Sequence, residues 1–337
     1  KSEILACVPV YGKHTAQRLA QILSSKMKDL NIDFSKLVAI VTDEGGPAPC
    51  IGEQLGLESI HCGGHILQTV QRRAFDKAIL ETPVIGFVLS ICKTLASTYS
   101  HSTAFRTEIL AAQLANNEPT TGLVQDVVTR WNSRLYCLKS IAKCERSIKN
   151  WLVQNPPIHE NLQLMERAHR DLWPVVHDII AVLEPFDYVT KQLSQDQVPT
   201  LHLVIDNIIS LEVLLAEFID TPSHSDVVKT LAKTLLAELK AKYRPWNYFE
   251  YIAFFLNPSN VVNCLNDDWK KCLKKGRKRV AKHLSNVTAP SVELSQPPQV
   301  DDRLQLSPMQ QRFAGLKRLA EPIVSPSQEL ATYESIV

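Results

Sequence analysis

Apolar positions along the chain fall into two regimes. Up to Ile60 they come as short aliphatic and β-branched runs cut by turn residues, at 3–10, 37–42 and 57–60. Runs of this kind read as buried strands. Between the first two, Leu19, Ile22, Leu23 and Met27 recur at helical spacing. Thr15 precedes them and is suited to cap the helix that the spacing predicts. The order strand, helix, strand predicts a βαβ unit of a parallel or mixed sheet. A short helix is predicted over 48–55.

From His65 the period becomes helical and stays so. Ile66, Val70, Ala74 and Ala78 line one face. Helices are predicted over 84–99, 101–114, 133–153, 159–193, 199–219, 222–243 and 259–284. Pro156 and Pro157 break the chain between two of them, and Pro174 and Pro185 divide or kink the longest. An aromatic cluster, Trp246, Tyr248, Phe249 and Tyr251, precedes the last helix. Beyond Asn286 the periodicity fades. Pro290, Pro297, Pro298, Pro308, Pro322 and Pro326 lie among Ser and Gln. Such composition predicts a mostly disordered tail, with a short helix around 309–319.

Composition changes this picture little. The 337 residues are 45% hydrophobic, with a net charge of +2 and eleven glycines, which suits a helix-rich chain with a real core. Overall charge therefore demands neither a nucleic acid nor a membrane. Eight scattered cysteines without a tight repeating pair predict free thiols in a reducing compartment. The longest apolar run, 83–91, is half of the ~18 residues a span needs, so no membrane segment is expected. No small-molecule substrate suggests itself. A first residue of Lys1 suggests a fragment of a longer protein.

Three places carry candidate chemistry. Asp43 lies just past the carboxyl end of the 37–42 run, the edge where open α/β sheets put their chemistry. It reads either as a turn-capping residue or as one ligand of a metal site. His61, Cys62 and His65, with Cys50, have the ligand types of zinc. Two ligands at a helix start are common by chance, so Cys62 and His65 read as helix-entry geometry and no metal is expected. Gly63 and Gly64 allow the sharp turn there. The third place is the dense basic run Lys270, Lys271, Lys274, Lys275, Arg277, Lys278, Arg279 and Lys282. It reads as a solvated helix face, a nuclear-localisation signal or a phosphate-contacting patch.

Several segments in order resemble the hAT-type transposases and their domesticated BED zinc-finger relatives. They begin with the pair His14-Thr15 … Val41-Thr42-Asp43 followed by Cys62-Gly63-Gly64-His65-Ile66-Leu67, and continue with Thr129-Arg130-Trp131-Asn132-Ser133. Next is the run Trp173 … Leu183-Glu184-Pro185-Phe186 … Thr190 … Leu193-Ser194 … Pro199-Thr200, and last is Ile252-Ala253-Phe254-Phe255-Leu256-Asn257-Pro258. The resemblance implies a ribonuclease-H-like sheet interrupted by a large all-helical insertion. Its chemistry is two-metal DNA transposition, which needs three carboxylates to hold hard divalent ions. Asp43 matches the second of the three.

The departures matter equally. No segment matches the strand that carries the first carboxylate, and Glu293 is a poor match for the last. Glu44-Gly45-Gly46 stands where the family has asparagines. Neither a BED finger nor the C-terminal dimerisation segment is recognisable.

The resulting expectation is an α/β, helix-dominated protein. A truncated ribonuclease-H-like unit spans 1–80, an all-α insertion 81–285 and the tail 286–337. The expected function is a catalytically inactive, transposase-derived protein that binds DNA or chromatin partners in the nucleus, with homodimerisation through segments outside this chain. No cofactor is expected; Mg²⁺ enters only if the missing carboxylates lie beyond the fragment. Asp43 is then a vestigial ligand. By the resemblance Trp131 lies near the DNA-handling face with Arg130 as its phosphate partner, although the ring alone reads as a packing anchor. The alternatives are a fragment of an active two-metal transposase and a helical scaffold for protein partners.

Overall fold

The structure, a computed structural model, describes residues 7–127, 132–154, 172–195, 198–257 and 267–284. The sheet-forming part begins with α1 (Ala16–Asp29), β1 (Ala39–Thr42), α2 (Ile51–Leu55) and β2 (Glu58–His61). Helices follow: α3 (Gly63–Glu81), α4 (Pro83–His101), α5 (Thr103–Ala115), α6 (Ser133–Lys143), α7 (Glu145–Gln154) and α8 (Leu172–Leu193). The last are α9 (Leu201–Asp220), α10 (Asp226–Tyr243), α11 (Tyr248–Phe255) and α12 (Asp267–Leu284). The fold is helix-dominated with a small parallel sheet. Two compact units divide the chain. Among the described residues, one is drawn from 7–67, 189–210 and 243–284, the other from 68–188 and 211–242.

In the first unit β1 and β2 pair in parallel, Ala39 opposite Glu58 and Thr42 opposite His61. The crossover runs through a 3₁₀ turn, Ala48–Cys50, and α2. The βαβ unit is thus one step downstream of the expected one. Residues 7–10 carry no regular structure, and residues 3–6 lie outside the described part. Pro9 has no N–H to give a ladder, which weakens that run as a strand.

Two glycines make the small unit possible. Gly56 caps α2 at φ +68°, a left-handed conformation that costs glycine nothing. Gly52 faces β2 so closely that an added Cβ would lie 2.1 Å from Ser59 Oγ and 2.9 Å from the Leu57 carbonyl. Thr15 caps α1 as expected, its Oγ1 accepting from the Arg18 N–H at 3.3 Å.

In the second unit the buried faces of its helices form an apolar core. Phe75, Ile85, Leu95, Ile109, Leu138 and Phe186 are almost fully enclosed there. The guanidinium carbon of Arg134 lies 4.3 Å from the Phe75 ring centre, a cation–π contact at the edge of that core. Phe105 and Trp151 meet edge to face, centres 4.8 Å apart.

Two helical predictions differ in detail. The helix expected over 133–153 breaks into α6 and α7 at Cys144 (φ −100°, ψ 13°). Cys144 is buried there, and its sulfur accepts from Gln113 Nε2 at 2.9 Å. Of the two outcomes open for Pro185, division or a kink, the helix is not divided: α8 continues through it. Pro185 denies the Ala181 carbonyl its helical partner, and close burial of Val182, Leu183 and Phe186 holds the helix together regardless.

The described cysteines are free thiols. Burial pushes Cys137 up to about 12 and raises Cys92 further, so both are unreactive core groups. No single helix among the described residues is long and apolar enough to cross a membrane.

Candidate nucleic-acid interface

The basic run forms α12, which carries eight Lys/Arg residues and two aspartates. Its register is read from Trp269, Cys272, Gly276 and Val280, spaced 3, 4 and 4 residues apart. All four are buried. That stripe rests on α11. Gly276 sets the approach. A Cβ there would lie 2.5 Å from both Phe255 Cβ and the Tyr251 carbonyl oxygen, so the two backbones meet where only glycine fits.

The basic side chains then divide by direction. Arg279 folds inward, its guanidinium carbon 4.4 Å from the Tyr251 ring centre and 4.8 Å from that of Tyr248. Tyr248 Oη also donates to the Arg279 carbonyl at 3.1 Å. Lys275 donates to Tyr251 Oη at 3.3 Å. Lys270 and Lys271 pair with Asp267 (3.7 Å) and Asp268 (3.3 Å) in the first turn. Such exposed pairs are weak and leave the ammonium groups accessible. The acids also favour the positive helix start. Lys274, Arg277 and Lys278 are exposed and make no ion pair with the described residues.

The seat beneath is stiffened at its start by a capping box. Asn247 Oδ1 accepts from the Phe249 N–H at 2.8 Å, and Glu250 Oε2 accepts from the Asn247 N–H at 2.6 Å. Asn247 Nδ2 also donates to Glu58 Oε1 on β2 at 2.7 Å. The sequence had suggested only an aromatic cluster here. The signal for a helix was the N-x-x-E pattern of Asn247 and Glu250 before an apolar run.

Burial raises the Glu250 carboxyl above the ordinary glutamate range, partly offset by its bond from Asn247. A group so raised adds stability that is complete below the unfolded pKa and is lost as pH rises through the folded one. Stability of the full chain should therefore fall over that window above the ordinary glutamate value. Glu250→Gln, which keeps the capping acceptor, should flatten the fall. Parallel urea titrations of the two proteins across mildly acidic pH test this, and identical pH profiles would contradict it.

Asp43 stands at the end of β1 as expected. Its Oδ1 accepts from the Gly45 N–H at 3.1 Å, closing a turn, and its side chain is exposed. Among the described residues no three His, Cys, Asp or Glu side chains come together to hold a metal. A divalent pair does not fit what this part of the chain offers.

Cys62 extends the parallel ladder, its N–H donating to the Thr42 carbonyl at 2.7 Å, and α3 begins at Gly63 with His65 in its first turn. Tyr243 Oη donates to the Gly63 carbonyl at 2.6 Å. Burial, then Glu250, Cys62 and Glu44, hold that phenol well above the ordinary tyrosine range, so it remains a donor.

Arg130 and Trp131 lie outside the described residues. Their motif neighbours are visible in the second unit. Asn132 is left-handed (φ 54°). Its Nδ2 donates to buried Asp187 Oδ1 at 3.0 Å, which also accepts from Tyr136 Oη at 2.6 Å. Ser133 Oγ lies 2.7 Å from Asp126 Oδ1 and the same distance from the Val127 carbonyl. Asp187 follows Leu183-Glu184-Pro185-Phe186 directly, so two of the sequence motifs meet in one polar network. Sequence reading missed this join because the partners are 55 residues apart.

No family model matches the chain. It is similar to the human zinc finger BED domain-containing protein 4, 21% identical over 212 residues. The match takes in 62% of this chain and 17% of that protein, so the chain spans under a fifth of its length. The chain is a distant relative of a BED zinc-finger protein.

Proposed function

We propose that the chain belongs to a hAT transposase-derived protein, of ribonuclease-H-like ancestry, that binds DNA in the nucleus and has no catalytic activity of its own. The observation that carries the reading is the outward face of α12. Lys274, Arg277 and Lys278 stand exposed on a helix whose other side is anchored by Trp269, Cys272 and Gly276. Fixed cations on a stiff element recruit phosphate oxygens without the cost of ordering a loop. The distant BED zinc-finger relative and the ordered motifs support the same lineage. The turn-closing geometry of Asp43 supports the lack of catalysis by this chain alone.

Fluorescence anisotropy of the full chain with a labelled duplex, over a range of salt, tests binding. Each neutralised phosphate contributes a slope of about −0.9 in log K against log salt. Three unpaired cations should supply about −2.7 of the total, and that share should disappear in Lys274→Ala/Arg277→Ala/Lys278→Ala. Affinity indifferent to salt would remove the proposal. Duplex cleavage by the chain with Mg²⁺ that is lost in Asp43→Ala would instead favour an active transposase fragment.

A further inference from the structure

The chemistry of α12 says more about how DNA is bound than that it is bound. Three observations bear on this, and the inference rests on the DNA-binding reading above.

First, the exposed face is built mainly of lysines. Its side chains are Lys270, Lys271, Lys274, Lys275, Arg277, Lys278, Ala281 and Lys282, with Asp267 and Asp268 at the start. Among the described side chains it carries no Asn or Gln for adenine and a single outward Arg; lysines can also reach guanine, but without a fork that fixes orientation. Lysine ammonium groups act as point charges and suit phosphates.

Second, the helix lies close on its neighbour, and one of its two arginines is taken up there. Gly276 brings its backbone onto Tyr251 and Phe255, and Arg279, which could have served as a second fork, is spent on the Tyr248 and Tyr251 rings.

Third, the rings beside the patch give no platform for unstacked bases. Trp269 and Tyr251 are buried, and Tyr248 lies against Arg279. Single strands are usually gripped by exposed aromatics as well as by charge. The outward cations from Lys270 to Lys282 run along about 18 Å of helix at 1.5 Å per residue. That length suits a short stretch of phosphates along one strand of a duplex.

We propose that α12 is a sequence-independent clamp for the phosphate backbone of duplex DNA. It lies along the ridge of one strand rather than entering the major groove to read bases. Any sequence preference of the protein arises outside α12.

The test uses the full chain and four labelled probes: two 25-base-pair duplexes, one A·T-rich and one G·C-rich, and a single strand of each. The two duplexes should bind within about twofold of each other, and the single strands more weakly. Lys274→Glu/Lys278→Glu should weaken both duplexes by the same factor. These residues are exposed, so the far-ultraviolet circular dichroism of the variant should match that of the parent.

A tenfold preference for one duplex that is lost in the variant overturns the inference while DNA binding stands. Tighter binding of the single strands overturns it in the same way. Binding of an acidic peptide but of none of the four probes overturns the DNA reading itself, and absence of all binding does likewise. Equal weakening of both duplexes is the outcome that the backbone clamp requires.

Discussion

Trp269→Ala should destabilise the first unit by about 3–5 kcal/mol, the usual cost of truncating a buried tryptophan. It should also weaken DNA binding although no charge is removed. Trp269 is the largest side chain in the buried stripe of α12 and only 4% exposed. Without it the remaining anchors are Cys272, Gly276 and Val280, which bury little area between them. α12 would then fray from its first turn, and its cations would lose their fixed spacing. A helix this dense in like charge draws most of its stability from the packing of its apolar face.

Urea unfolding of the full chain measures the stability change. Hydrogen exchange over α12 shows whether its amides open first. The pairing of the two effects is the informative part. If stability falls and affinity for duplex stays at the parental value, the seat does not matter to the interface. If affinity falls with stability unchanged within about 0.5 kcal/mol, Trp269 acts at the surface and not as an anchor.

The second large effect is expected at Asp187→Ala in the other unit. Asp187 Oδ1 accepts from both Asn132 Nδ2 and Tyr136 Oη, and the residue is buried. Removing it takes the shared acceptor from two donors, of which Tyr136 is exposed and can turn to water, so the lost bonds cost about 1 kcal/mol each, with a cavity at the buried carboxylate in addition. Asp187→Asn keeps an acceptor oxygen and should cost clearly less. The double-mutant cycle with Asn132→Ala should show strong coupling, because the second change removes one of the donors that the first strands. Additive effects from thermal or urea unfolding would mean that the contact does not carry the stability. The strained backbone of Asn132 gives a further reason for concern at this site. Its left-handed conformation is accessible to asparagine and costly for alanine.

The network also revises how the motif residues are understood. Asn132-Ser133 and the segment ending in Asp187 resemble functional signatures when read along the chain. In the folded unit their polar side chains hold α6 and α8 together. Similarly, the step at Cys62 and His65 has metal-ligand residue types, yet Cys62 serves to continue the strand ladder and open α3. Asp43 remains where the pattern put it, at the end of β1, and its carboxylate closes a turn with Gly45.

Sequence by itself determined the order and type of most elements. The Leu19–Met27 period, the Thr15 cap, the runs at 37–42 and 57–60 and the aliphatic repeat after His65 are all local patterns. They act through neighbours within a turn or two, and a window of the chain contains them whole. The basic run at 270–282 was legible for the same reason.

Tertiary structure decided what those elements do. Residues 133–153 part into two helices at Cys144, whose sulfur meets Gln113, 31 residues away and outside any local window. Which cations of α12 face outward depended on the helix resting on α11, where Gly276 permits close approach and the tyrosine rings take Arg279. The helical period placed Trp269, Cys272, Gly276 and Val280 on one side, but it could not say that this side would be covered. Burial is a property of the partner surface, and that surface exists only once distant parts of the chain have packed.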